Sequence, residues 1–162
     1  MLSNEPHTED IFKGHTDYTD YTDYAHLAVS GNRAKMLRNM TINELTYEIR
    51  GAIFDVYNTL GPGLLESVYE EAMVFELQQR GLKVERQVVV PIHYKGNELK
   101  TPLRLDLLVE DRVIIELKSV EEMKPVFSKQ LLTYLRLMDK RLGLLVNFTT
   151  SNIRDGIKRI AN

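Results

Sequence analysis

Val113-Ile114-Ile115-Glu116-Leu117-Lys118 is the stretch that decides how the rest of the 162-residue chain is read. Its near-continuous apolar run predicts a central strand buried on both faces, rather than the one-sided alternation of a surface strand. Such a strand has little reason to carry charge, yet this one ends in Glu116-Leu117-Lys118. A period of two places Glu116 and Lys118 on one face and Leu117 on the other.

Immediately upstream, Leu103 to Val109 reads as the preceding strand, with Asp106 standing among Leu103, Leu105, Leu107 and Leu108. Glu110-Asp111 supplies a tight turn, so the two strands pair antiparallel and the residue opposite Asp106 falls near position 115. Asp106 and Glu116 meet if the register slips by one residue or a bulge intervenes, since cross-strand neighbours lie roughly 4.5 to 8 Å apart. Two carboxylates at that separation repel unless a cation lies between them. Hard oxygen donors with open water positions suit magnesium or manganese. The tripeptide Glu-x-Lys says little by itself, because Glu98-Leu99-Lys100 and Glu122-Met123-Lys124 repeat it. Those copies lack both the apolar strand and the aspartate ten positions upstream.

Further out, Thr41-Ile42-Asn43-Glu44 is a capping-box pattern that opens a helix. Ile42, Leu45, Ile49, Ile53, Val56 and Leu60 recur at helical spacing, and Gly61-Pro62-Gly63 stops the run. A second helix is predicted from about Leu65 to Arg80, burying Val68, Ala72, and Phe75 or Leu77, and ending at Gly81. Val84, Val88, Val90, Ile92 and Tyr94 alternate as one strand, with a turn at Lys95-Gly96-Asn97. Pro125 is placed for the first turn of a third helix carrying Phe127, Leu131, Tyr134, Leu135 and Met138. Leu142 to Phe148 reads as another buried strand. Ile153 to Ile160 has both helical and alternating readings and is taken as a short edge strand. The order helix, helix, three strands, helix, strand and a short C-terminal element is that of an α/β domain.

Residues 1–40 differ in character. Thr16-Asp17-Tyr18, Thr19-Asp20-Tyr21 and Thr22-Asp23-Tyr24 form a tandem repeat whose period of three suits neither a helix nor a strand. The segment reads as a low-complexity disordered tail, or as read-through upstream of a start at Met36 or Met40. His7, His15 and His26 have no fixed spacing and are not taken as metal ligands. The formal net charge of −2 argues at first against nucleic acid, whose binding depends on phosphate neutralisation. Lys13, Arg33, Lys35 and Arg38 are outnumbered in the tail by six acids, however, leaving 41–162 with seventeen basic and seventeen acidic groups. A neutral body that binds a divalent cation gains positive charge where phosphate must sit. The lack of cysteine excludes disulfides, thiolate zinc and a cysteine nucleophile. With no apolar run of roughly 20 residues and no signal-peptide pattern, the reading is a soluble, cytoplasmic protein without a membrane partner.

At this point a family resemblance emerges. Asp106 followed by Glu116-Leu117-Lys118 resembles the signature of the PD-(D/E)xK nucleases, with Leu105 where the name has proline. Gln130-Leu131-Leu132-Thr133-Tyr134 is similar to the Q-x-x-x-Y helix motif of the RecB-type and lambda-exonuclease-like branch. Gly63-Leu64-Leu65-Glu66-Ser67-Val68-Tyr69 matches the G-x-x-E-x-x-Y element of small stand-alone proteins named after it. Asp155-Gly156-Ile157-Lys158-Arg159-Ile160 is similar to that group's C-terminal end. The resemblance covers about 41–162 and leaves the tail unmatched.

It implies a restriction-endonuclease-like core, a central mixed β-sheet flanked by helices, and magnesium-dependent hydrolysis of phosphodiester bonds, with DNA as the expected partner. Asp106, Glu116 and the Leu117 carbonyl would be ligands of Mg²⁺ or Mn²⁺, and Glu66 a further ligand or the orienter of a water on the metal. Lys118 would position or deprotonate the attacking water. Gln130 and Tyr134 would support the site and contact the nucleic-acid backbone, with Tyr69 supporting by packing. Read singly, Glu66 is also an ordinary helix N-terminal acid, Gln130 and Tyr134 a part-exposed pair or Tyr134 simply a core residue, and His93 an exposed or structurally satisfied residue. Two functions stay open, a nuclease and an inactive nuclease-fold binding module. Homo-oligomerisation or membership of a larger complex is undecided.

Overall fold

The computed structural model describes residues 39–162 apart from Pro102. The expected tail, with its Thr-Asp-Tyr repeat and three histidines, lies outside the described residues except for Asn39 and Met40. Among the described residues no helix is long and apolar enough to cross a membrane.

Helix α1 (Ile42–Leu60) starts on the capping box the sequence announces. The Thr41 hydroxyl accepts from the Glu44 N–H at 3.2 Å, and the Glu44 carboxylate accepts from the Thr41 N–H at 2.7 Å. Leu45, Ile49, Ile53 and Val56 form its buried face. Helix α2 (Glu66–Gln79) differs from expectation in facing. Tyr69, Met73 and Leu77 are buried, whereas Val68 and Phe75 are exposed. Apolar residues surround this helix on all sides, so periodicity does not choose a face; contact with α1 and the sheet does.

The expected strand from Val84 to Tyr94 is two strands. β1 (Val84–Val90) ends before Pro91, which has no N–H to continue a ladder. β2 (His93–Tyr94) and β3 (Asn97–Glu98) then form a separate small hairpin across Lys95 and Gly96, both at positive φ. β4 (Leu103–Val109) and β5 (Val113–Lys118) follow, then α3 (Pro125–Leu137) and β6 (Leu142–Asn147). The ambiguous C-terminal segment contains both of its readings in succession, a single turn α4 (Ile153–Gly156) and the edge strand β7 (Ile157–Ala161).

The main sheet has the order β1-β4-β5-β6-β7, antiparallel except for the β5–β6 pair. That parallel pair is joined through α3, the crossover a parallel connection requires. α1 and α2 cover one face over Leu107, Val109, Val113, Ile115 and Leu117, while α3 covers the other over Leu105, Leu108, Ile114 and Leu145. β5 is buried on both faces, as its composition demands.

Gly156 sits where α4 turns into β7, and a Cβ there would overlap the Asn147 carbonyl oxygen and press on Thr150. Gly156→Ala is therefore expected to cost roughly 1–3 kcal/mol. An unchanged thermal midpoint would contradict the close approach.

Candidate active site

The β4–β5 connection resolves how Asp106 meets Glu116. Val109 pairs Val113 and Leu107 pairs Ile115, so three residues rather than two separate the strands, and Asp106 faces position 116 instead of 115. Glu110 and Asp111 both take left-handed φ, and the Arg112 N–H closes the turn on the Val109 carbonyl at 2.9 Å. The extra residue is the bulge that brings the two acids level. The paired register stops at Leu107, and beyond it Asp106 Oδ2 accepts from the Leu117 N–H at 2.7 Å. A side chain thus occupies the place of a ladder carbonyl.

Glu116 is 3% exposed and lies beside Lys118, whose ammonium donates to Glu116 Oε1 at 2.7 Å and to the Leu117 carbonyl at 2.9 Å. Glu116 Oε2 is buried with no hydrogen-bond partner. Burial, then the charges of Asp106 and Glu66, push the Glu116 carboxyl up to about 7 against the opposing effect of Lys118. Burial also raises Asp106; the Leu117 N–H and Lys118 oppose this, and Glu70 and Glu66 add to it. For Lys118, burial works against the ammonium, but the bond to Glu116 and the charges of Glu116, Asp106 and Glu66 outweigh it and raise its pKa. The Lys118 ammonium also lies 5.5 Å from the centre of the Phe127 ring.

Glu66 opens α2, and its Oε1 accepts from the Ser119 N–H at 3.1 Å, one residue beyond Lys118. The Ser119 hydroxyl donates to the Leu64 carbonyl at 2.6 Å, tying the end of β5 to the loop before α2. Tyr69 holds that loop from below. Its hydroxyl donates to the Gly61 carbonyl at 2.7 Å and accepts from the Leu64 N–H at 3.1 Å, while its ring stacks on Phe148 with centroids 4.2 Å apart. Asn147, at the end of β6, accepts from the Val120 N–H at 3.1 Å and donates to its carbonyl at 2.8 Å. The strand end carrying Glu116 and Lys118 is therefore fixed on three sides.

Glu66, Asp106, Glu116 and Lys118 are thus brought into one electrostatically coupled group, with the Leu117 carbonyl among them. Gln130 and Tyr134 are paired with each other, the amide donating to the phenol oxygen at 2.6 Å, and Tyr134 is buried in the α3-side core. They share α3 with Phe127, one turn earlier. His93 lies exposed on the small hairpin. Sequence reasoning missed Glu70, Ser119 and Asn147. Glu70 follows Glu66 at i+4, a spacing that put it on the same helical face; the other two had no local signal.

Among the described residues, no three acidic, histidine or cysteine side chains stand ready as a chelating group. The oxygen set nevertheless suits a hard divalent cation: a buried, unpartnered Glu116 oxygen beside a second carboxylate, with Lys118 covering Glu116 Oε1 and the Leu117 carbonyl.

A mixed sheet flanked by helices, with an acidic pair and a lysine on adjacent central strands, defines a restriction-endonuclease-like domain. A family model described as "PD-(D/E)XK nuclease superfamily" matches residues 43–160, and the chain belongs to that superfamily. Among solved structures, one titled "Crystal structure of SSO0001" is similar with a TM-score of 0.47 and 22% identity, over 59% of this chain. The chain spans about half, 49%, of that protein's length. Among curated proteins, none matches.

Proposed function

We propose that residues 41–162 form a divalent-metal-dependent nuclease that hydrolyses phosphodiester bonds in DNA, with residues 1–40 a separate tail. Magnesium is the expected ion and manganese a substitute. The motif set of Gly63 to Tyr69, Asp106, Glu116 to Lys118, and Gln130 to Tyr134 supports placing it with the G-x-x-E-x-x-Y proteins of the RecB-type and lambda-exonuclease-like branch, acting in the cytoplasm. The observation that carries the reading is the buried Glu116 Oε2 without a partner, coupled to Asp106 and next to Lys118. A buried acceptor left unpaired costs roughly 1–3 kcal/mol, which a cation removes.

Asp106, Glu116 and the Leu117 carbonyl would hold the cation, with Glu66 at its margin. When bound, the cation polarises the phosphate and lowers the pKa of water. Lys118, whose ammonium lies on Glu116 Oε1 and the Leu117 carbonyl, would position or deprotonate the attacking water and offset the charge growing on the phosphate. From α3, Gln130 would meet the nucleic-acid backbone, while the buried Tyr134 supports it through its hydroxyl rather than touching the backbone itself.

The test is calorimetric titration of the full chain with Mn²⁺, alongside cleavage of plasmid and linear DNA with and without chelator. Asp106→Ala is expected to weaken metal binding by about 10- to 100-fold and to abolish cleavage. Absence of metal binding by the wild-type protein would overturn the nuclease reading in favour of a nuclease-fold binding module.

A further inference from the structure

The β1–β4 ladder contains a defect that the mechanism above does not use. Arg86 pairs Leu107 and Val88 pairs Leu105 in one unbroken register, so Gln87 stands opposite Asp106, yet these two do not pair. Gln87 has φ 52, in the left-handed region, which costs a non-glycine residue roughly 1–3 kcal/mol. No residue is gained or lost at the defect, but the facing changes across it. Leu107 packs under α1 and α2, whereas Leu105, two positions away on the same strand, packs under α3. Strand alternation would put both on one face. The backbone therefore turns at Gln87 and Asp106, and this turn withdraws Asp106 from both neighbouring ladders.

What holds the turn is a buried carboxylate. Glu70 is 7% exposed; its Oε1 accepts from Arg86 Nε at 2.8 Å and pairs with Arg86 Nη2 at 2.7 Å, and its Oε2 accepts from the Gln87 amide. The Gln87 carbonyl, turned out of the ladder, accepts from Arg104 Nη1 at 3.0 Å. Glu70 thus grips the two residues that make the kink, one helical turn after Glu66.

We infer that Glu70 is a positioning residue: by clamping Arg86 and Gln87 it maintains the left-handed kink that frees the Asp106 carboxylate to reach the Leu117 N–H and face Glu116. The inference rests on the metal-site reading above and extends it to the strand edge. Its logic is conformational. Glycine adopts left-handed φ without penalty, whereas a β-branched residue resists it.

The test uses Gln87→Gly, Gln87→Val, Glu70→Ala and the Glu70→Ala/Gln87→Gly double variant of the full chain, with folding checked by circular dichroism. Gln87→Val and Glu70→Ala are expected to weaken Mn²⁺ binding by about 10- to 100-fold, while Gln87→Gly stays near wild type. In the Gln87→Gly background the Glu70→Ala penalty should shrink to less than about threefold, because the clamp has no strained residue left to hold. An equal Glu70→Ala penalty in both backgrounds would show an ordinary structural ion pair and overturn the inference, as would wild-type affinity in Gln87→Val. Hydrogen exchange at the Leu117 amide gives a metal-free readout. Protection should be lost in Gln87→Val and kept in Gln87→Gly. If the wild-type protein binds no Mn²⁺, the nuclease reading fails, and this amide alone decides the inference: unchanged protection in Gln87→Val refutes it.

Discussion

A Glu116→Gln protein is expected to melt at a higher temperature than the wild type above neutral pH, while losing metal-dependent cleavage by on the order of 10³-fold or more. The two effects have one origin. Burial and neighbouring acids raise the Glu116 pKa from 4.5 to about 7 in the folded chain. For an acid with a raised folded pKa, stability is full below the unfolded value near 4.5 and is lost as pH climbs through about 7. The ionised carboxylate then costs the metal-free protein a few kcal/mol, and Asp106, shifted the same way, adds to the loss. Glutamine keeps the shape and removes the titration. Thermal melts from pH 4.5 to 8.5 in chelator should show the wild type falling steeply and the variant falling less, by the Asp106 share alone, with Mn²⁺ restoring only the wild type. Parallel melting curves would show that Glu116 does not carry the strain assigned to it.

The second large effect separates binding from chemistry. Lys118→Ala is expected to bind Mn²⁺ at least as tightly as the wild type, yet to cleave DNA on the order of 10³-fold more slowly. In the structure the lysine ammonium sits on Glu116 Oε1 and the Leu117 carbonyl, on two groups that the proposed reading gives to the cation. Removing it takes away a competitor for those groups and, on the proposed reading, the ammonium that would act on the attacking water. Calorimetry and single-turnover cleavage on the same preparation make the comparison. A Lys118→Ala protein that loses metal affinity and activity in step would instead assign the lysine to holding the site together.

Much of this was legible in the chain, for identifiable reasons. β5 is recognisable because burial on both faces leaves a compositional trace, and the capping box because its chemistry is local. Membership of the nuclease superfamily was within reach because Asp106 and Glu116-Leu117-Lys118 lie on consecutive elements. The level of Asp106 with Glu116 was not, since a two-residue and a three-residue turn differ only in whether Arg112 joins the loop. The face of α2 was hidden because Val68 and Phe75 are as apolar as Tyr69 and Met73. The break in β1 had no sequence signal: glutamine is not a residue that advertises left-handed φ, and its reason lies in Glu70 on another element.

Helix α2 concentrates unlike duties on one face. Glu66 meets Ser119, Tyr69 braces the Gly61–Leu64 loop, Glu70 clamps the strand edge, and Met73 and Leu77 anchor the core. A slip of one residue turns a helix by about 100°, which would carry all five away together. An insertion or deletion within α2 would therefore be expected to disrupt the site, the strand edge and the core at once, whereas the outward Val68, Glu71 and Phe75 carry none of these contacts. A new partner or specificity can be acquired there without disturbing the arrangement on the opposite side.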